Sequence, residues 1–146
     1  MAAFRCVLFD LDGTLIDTNR LIIESFQYTL RKHLGCEAPE TEIVSTFGRP
    51  LLEGLAHFSR EKAPEMLKTY RAYNEARHDA TTTLVPGVRE TLTALKEAGL
   101  ALAVVTSKRR GLALRGLQLF GLDAYMDAIV TPEDTTRHKP EPDPVL

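Results

Sequence analysis

Three short apolar runs, set apart by stretches with helical spacing, constrain the fold of this chain more than anything else in it. FRCVLF spans Phe4 to Phe9 and stops at Asp10, ALAVVT spans 101–106, and AIVT spans 128–131. The first two runs, short and without polar alternation, suit buried strands, the first on both faces, and AIVT reads as a third short strand. Cys6, inside the first run, is expected to be a small core residue. Strands that alternate with helices predict an α/β fold with a parallel sheet.

The intervening segments supply the helices. Ile22, Phe26 and Leu30 recur every four residues, with Asp17 or Thr18 as a cap and Gly35 as a stop, so a helix is predicted over about 18–34. Residues 39–80 keep a helical pattern. Ile43 and Phe47 mark one short helix, Gly48-Arg49-Pro50 breaks it, and Leu51, Leu52, Leu55 and Phe58 mark another. Pro64 then opens a longer one. Pro86-Gly87 introduces a helix bearing Val88, Leu92 and Leu95, closed by Gly99. Ser107 is expected to cap a helix carrying Leu114, Leu117 and Phe120 that ends at Gly121. The expected organisation is an α/β core from 1–16 and 84–146, with a helical insertion over 17–83.

Composition excludes several classes. Among 146 residues, 44% are hydrophobic and 26% charged, and the net charge is −2. No basic footprint for nucleic acid or a membrane surface stands out. No stretch approaches the roughly 18 apolar residues of a membrane span. The N-terminus lacks the pattern of a secretory signal. Two cysteines, Cys6 and Cys36, have no metal-ligand or redox spacing. These features predict a cytoplasmic protein with no nucleic-acid or membrane partner.

The chemistry concentrates in Asp10-Leu11-Asp12-Gly13-Thr14-Leu15. Two carboxylates two residues apart follow the first strand, on the sheet edge where open α/β folds bind ligands. Gly13 permits a sharp turn and leaves amides open to an anion. One carboxylate can attack phosphorus and the other can move the proton. Together they attract Mg2+, which offsets repulsion between a phosphate and an anionic nucleophile. An Asp-Gly turn alone is common. Here Thr106-Ser107 ends the second strand with hydroxyls and a predicted helix N-terminus, an anion site, and Lys139 follows the third. Lys108 is the best-placed cation of Lys108-Arg109-Arg110 to meet an anion. Arg109 and Arg110 are read as a solvated face. Arg49, on a loop of the insertion, has a shape suited to phosphate. His33, His57 and His78 have no metal spacing, Tyr70 and Tyr73 are read as packing, and Glu133 and Asp134 are not read as metal ligands.

These motifs resemble those of the haloacid dehalogenase superfamily. DLDGTLIDT is similar to its first motif, VVTS to its second and HKPEPDP to its third. The insertion resembles the helical cap of the phosphoglycolate phosphatase-like group, and VVTSKRR, FGRPL and IVTPEDTTRHKPEPDPV look most like pyrophosphatases of the PpaX type. The resemblance implies a Rossmann-like core and a magnesium-dependent phosphatase. Asp10 would be the nucleophile and a metal ligand. Asp12 would be the general acid/base, with its backbone carbonyl on the metal. Thr106 and Ser107 would hold phosphate oxygens, with Gly13, Thr14, Lys108 and Arg49 also facing the substrate, and Lys139 would pair with Asp10 and the phosphoryl group. Pyrophosphate is the favoured substrate and a phosphoglycolate-like monoester the next. The alternatives are a phosphomutase and a non-catalytic fragment that binds phosphate or a partner.

The fourth motif of that superfamily, an acidic pair that completes the metal site, has no match here. The sequence also ends just after Asp143-Pro144, a pair that announces a helix. The chain therefore reads as cut short, with FRCVLF left as an exposed apolar edge, and is expected to be weakly active and poorly stable alone.

Overall fold

A computed structural model describes residues 3–146. It divides into two compact units. One comprises the segment ending at Asp17 together with Thr82–Leu146, and the other is Thr18–Thr81.

The first unit is built on a three-stranded parallel sheet of β1 (Cys6–Phe9), β4 (Ala101–Val105) and β5 (Ala128–Val130), in the order β1-β4-β5. The central strand is the apolar ALAVV run, with Leu102, Ala103, Val104 and Val105 all buried. A parallel pair needs a crossover, and α5 (Val88–Glu97) and α6 (Arg110–Leu119) supply the two helical connections that flank β4. The core joins Leu102 and Val104 to Leu92 of α5, Leu117 of α6, Leu122, and Leu11, Leu15 and Ile16 of the loop after β1. Truncating Leu102 to Ala is expected to cost about 2–5 kcal/mol, because the side chain is fully buried on the middle strand and its cavity has little room to collapse. Urea unfolding of the folded variant checks this. A cost under about 0.5 kcal/mol, the range of surface substitutions, would mean that Leu102 does not anchor the core.

The expectation that the first run is buried on both faces does not hold. The strand is Cys6–Phe9, its residues alternate between exposed and half-buried, and Cys6 is exposed rather than in the core. Among the described residues, β1 pairs only with β4. Within the strand Leu8 stays 47% exposed, and Phe4, just before it, 86%. The apolar edge itself was anticipated from the sequence.

A short antiparallel ribbon, β2 (Ile16–Asp17) on β3 (Thr83–Leu84), has no counterpart in the sequence reading. Two residues are too few for a periodic signal. They pair because the chain leaves the α/β unit at Asp17 and re-enters it at Thr82.

The second unit is helical: α1 (Asn19–Leu34), α2 (Glu40–Val44), α3 (Leu51–Ala56) and α4 (Ala63–Thr81). Phe26, Leu30, Ile43, Leu55, Met66 and Tyr70 form its core. Phe26 meets the edge of Tyr70 at 5.2 Å between ring centres, while Tyr28 and Tyr73 stack at 4.4 Å, so both tyrosines named from the sequence do pack. Gly35 ends α1 with φ 64° and donates its N–H to Arg31 O. Thr18 occupies the N-cap position but makes no side-chain capping bond. No helix among the described residues is long and apolar enough to cross a membrane.

Candidate active site

Parallel strands place their carboxyl ends on one edge of the sheet, and the polar residues after β1, β4 and β5 collect there. After β1 the chain turns through Leu11–Ile16. The N–H groups of Thr14, Leu15 and Ile16 all point to Leu11 O, and the Gly13 N–H donates to Ile16 O at 2.8 Å. Gly13 has φ 81°, a region open to glycine at no steric cost. The buried side chains of Leu11, Leu15 and Ile16 anchor the loop. Asp10 and Asp12 therefore stand on a pinned turn, Asp10 exposed and Asp12 half-buried.

Two lysines meet these two acids. Lys139 Nζ lies 3.1 Å from Asp10 Oδ1 and donates to Val105 O at 2.7 Å, so it bridges the ends of β1 and β4. Lys108 Nζ lies 3.2 Å from Asp12 Oδ1. Asp10 Oδ1 also accepts the Leu11 N–H at 2.9 Å. Both acids face cations supplied from more than ninety residues further along the chain, so the pairing is wholly a product of the fold.

Thr106 is buried at the end of β4. Its N–H donates to Val130 O, and its hydroxyl accepts the Lys108 N–H at 3.0 Å. Such a side-chain turn satisfies the backbone without a helix, which is why the next helix starts later than expected. Ser107 does not cap it. The N-cap is Arg109, α6 begins at Arg110, and Ser107 is exposed.

The anion at that helix N-terminus belongs to the protein. The Arg110 N–H donates to both carboxylate oxygens of Glu133, at 3.0 and 3.3 Å. The Arg110 guanidinium reaches Asp134 Oδ2 at 3.1 Å, so Arg110 is not merely a solvated face. Thr131 is buried and joins the set: its hydroxyl donates to Glu133 Oε2 at 2.7 Å, and its N–H donates to Asp134 Oδ2 at 2.8 Å. Thr131 and Asp134 make a reciprocal capping box. The Thr-Pro-Glu-Asp order (131–134) is the sequence signature of such a box, so the signal was present, though nothing in it names Arg110 as the partner. As separate surface ion pairs, contacts like Arg110–Asp134 are worth little; the bonds to backbone N–H groups give this network its geometry.

These hydrogen bonds hold the acids below the ordinary carboxylate range. The Thr131 hydroxyl is the main cause for Glu133, and the Thr131 backbone N–H for Asp134. Asp127 is lowered by its hydrogen bond from Lys96 and then by the Leu102 N–H. A carboxylate whose folded pKa is depressed stabilises the fold above its unfolded pKa, near 4, and loses that contribution as pH falls through the folded value. Stability is therefore expected to decline from about pH 4 downward, and Asp127→Asn to flatten that decline. Acid unfolding followed by circular dichroism checks this; parallel curves for the two proteins would remove Asp127 from the account.

The remaining predicted residues are dispersed. Gly13, Thr14 and Ser107 are exposed on the site loops. Arg49 is in the helical unit, exposed on the turn between α2 and α3, with its N–H on Thr46 O. His33, His57 and His78 meet Thr69, Glu42 and Asp79. Among the described residues, no group of three or more acids, histidines or cysteines converges to hold a metal ion. The hard oxygens of Asp10 and Asp12 nevertheless fit a magnesium ion in kind, since that ion is usually held by one or two carboxylates plus phosphate oxygens and water.

The family model of haloacid dehalogenase-like hydrolases matches residues 7–146. A protein of Caldanaerobacter subterraneus subsp. tengcongensis, provisionally named pyrophosphatase PpaX, is 59% identical over 140 residues, covering 96% of this chain and 64% of its own. Pyrophosphatase PpaX of Halalkalibacterium halodurans is 43% identical, covering 95% of this chain and 65% of its own. The crystal structure of a provisionally named haloacid dehalogenase-like hydrolase from Bacteroides fragilis superposes with a TM-score of 0.87 at 28% identity, covering 98% of this chain and 70% of that one. The chain thus spans just under two thirds of the length of these two curated relatives.

Proposed function

Because the chain belongs to the haloacid dehalogenase-like hydrolase family, we propose that it carries the nucleophile half of a magnesium-dependent phosphatase acting through an aspartyl-phosphate on Asp10. The observation that carries this reading is the Lys139–Asp10 contact of 3.1 Å. It sets a cation against the candidate nucleophile at the sheet edge where Asp12, Thr106 and Lys108 also stand.

A carboxylate oxygen of Asp10 attacks phosphorus as the bond from phosphorus to the leaving oxygen breaks. Asp12 gives its proton to that oxygen, which needs one in an ester or anhydride. Asp12 then takes a proton from water, whose oxygen attacks the aspartyl-phosphate, releases orthophosphate and restores Asp10. Lys108 and Lys139 balance charge on the phosphoryl oxygens. Asp10, with the backbone carbonyl of Asp12, would hold magnesium, which supplies charge neutralisation when bound. Pyrophosphate is the favoured substrate, from the names of the two relatives above, with a phosphoglycolate-like monoester next. Arg49 is proposed as a contact to substrate phosphate.

The test is phosphate release from pyrophosphate, phosphoglycolate and a hexose phosphate with magnesium. It uses this chain and a version extended by the remaining third of its relatives. Fastest turnover of pyrophosphate, with Asp10 trapped by borohydride as homoserine, is expected. Turnover with no modified Asp10 would overturn the covalent route. Transfer to a sugar hydroxyl instead of water would favour a phosphomutase. If no substrate is cleaved by either folded form, the non-catalytic binding reading takes over.

A further inference from the structure

We propose that Glu133 and Asp134 are positioning residues that hold the start of α6 so that Lys108 stays on Asp12; the catalytic consequence rests on the reading above. Lys108 sits two residues before the first residue of α6. Its ammonium reaches Asp12 at 3.2 Å, and its own N–H is tied to Thr106. The segment from Thr106 to Arg110 is therefore held at two places. Thr106 fixes it to the end of β4, and the Glu133 carboxylate fixes the Arg110 N–H from the other side. Without the second hold, the helix start loses the partner of an otherwise unpaired donor, and the favourable charge at its positive end.

Glu133 and Asp134 do not hang freely. The Thr131 hydroxyl and backbone fix both acids, and Thr131 is buried at the end of β5. That strand leads directly to the loop bearing Lys139. The acidic pair thus ties the exit of β5 to the entry of α6, and so the two lysine arms share one mount. No distance places Glu133 or Asp134 on the reacting atoms; their action runs through Arg110 and Lys108.

Competitive acylation of lysines, read by mass spectrometry on the folded full chain, tests this without requiring turnover. Asp12→Asn sets the rate for a Lys108 that has lost its partner. In Glu133→Ala, Lys108 is expected to react at least about fivefold faster, as the loss of one good hydrogen bond allows, while Lys96, held by Asp127 elsewhere, keeps its rate. Asp134→Ala is expected to act in the same direction, and less strongly. If Glu133→Ala does not fold, Glu133→Gln decides, since it keeps one acceptor for the Arg110 N–H but not the charge. Its Lys108 rate should rise above the unmutated one at a constant Lys96 rate. An unchanged Lys108 rate in the folded variants, or a parallel rise of Lys108 and Lys96, overturns the proposal, as does a Lys108 indifferent to Asp12→Asn. In a form that releases phosphate, Glu133→Ala and Lys108→Met should be non-additive, the double variant losing no more than Lys108→Met alone; additive losses overturn the route through Lys108. Normal labelling results with no phosphate release in any form would sink the phosphatase reading and leave the positioning role standing.

Discussion

Asp10→Asn is expected to lower phosphate release by about 10⁴-fold or more, the scale on which losing a reacting nucleophile registers, while the folded state is kept. Asn is isosteric with Asp, and its amide oxygen can still accept the Leu11 N–H now bonded to Asp10 Oδ1 at 2.9 Å. The side chain is exposed, so no core contact is lost. What disappears is the anionic oxygen that pairs with Lys139 and that attacks phosphorus in the proposed reaction. Initial rates with pyrophosphate and magnesium, beside a melting curve, separate the two effects. A variant retaining a tenth of the rate would show that Asp10 is not the nucleophile.

Lys139→Met should be the second largest loss, about 10²–10³-fold in kcat, the range for removing one preorganised group that stabilises developing charge. Met keeps the unbranched stem and loses the ammonium, so Asp10 faces an incoming phosphoryl group without its cation. Lys139→Arg is not expected to restore the rate. The Nζ is held by a two-point grip, Asp10 Oδ1 and Val105 O, and the broader planar guanidinium does not reproduce that point charge. The kcat of both variants, measured with saturating substrate, decides between roles. A change in KM alone would make Lys139 a binding group rather than a group acting on the transition state.

The helical and strand patterns were legible because local chemistry wrote them. The four-residue spacing of Ile22, Phe26 and Leu30 predicts α1, and Gly35 ends it with positive φ as its lack of a side chain allows. ALAVVT is buried from Leu102 to Thr106, as an unbroken apolar run suggests. FRCVLF reads the same way and is not: burial on both faces needs elements packed over each, and the side chains of β1 alternate between exposed and half-buried. Cys6 failed with it. The β2–β3 ribbon was invisible because its two halves lie some 65 residues apart and each is two residues long.

Ser107 shows where local reasoning stops. A serine after a strand and before an apolar helix is a good N-cap by composition. The Thr106 hydroxyl took the Lys108 N–H instead, and Glu133 took the Arg110 N–H, so the helix start moved to Arg110. A cap drawn from 23 residues away leaves no mark in the local sequence.

The sequence by itself determined the alternation of strands and helices and the placing of Asp10, Asp12, Thr106 and Lys139 just after or at the ends of strands. Apolar runs and turn residues act over a few positions, and parallel strands necessarily share an edge. The pairing of Lys139 with Asp10 followed from the family resemblance and the open edge at β1 from the sequence; only the tertiary structure decided that Lys108 meets Asp12 and that Glu133 takes the Arg110 N–H at the start of α6. Those contacts join residues far apart in the chain, and their distances exist only once the core around Leu102 and Leu117 has closed.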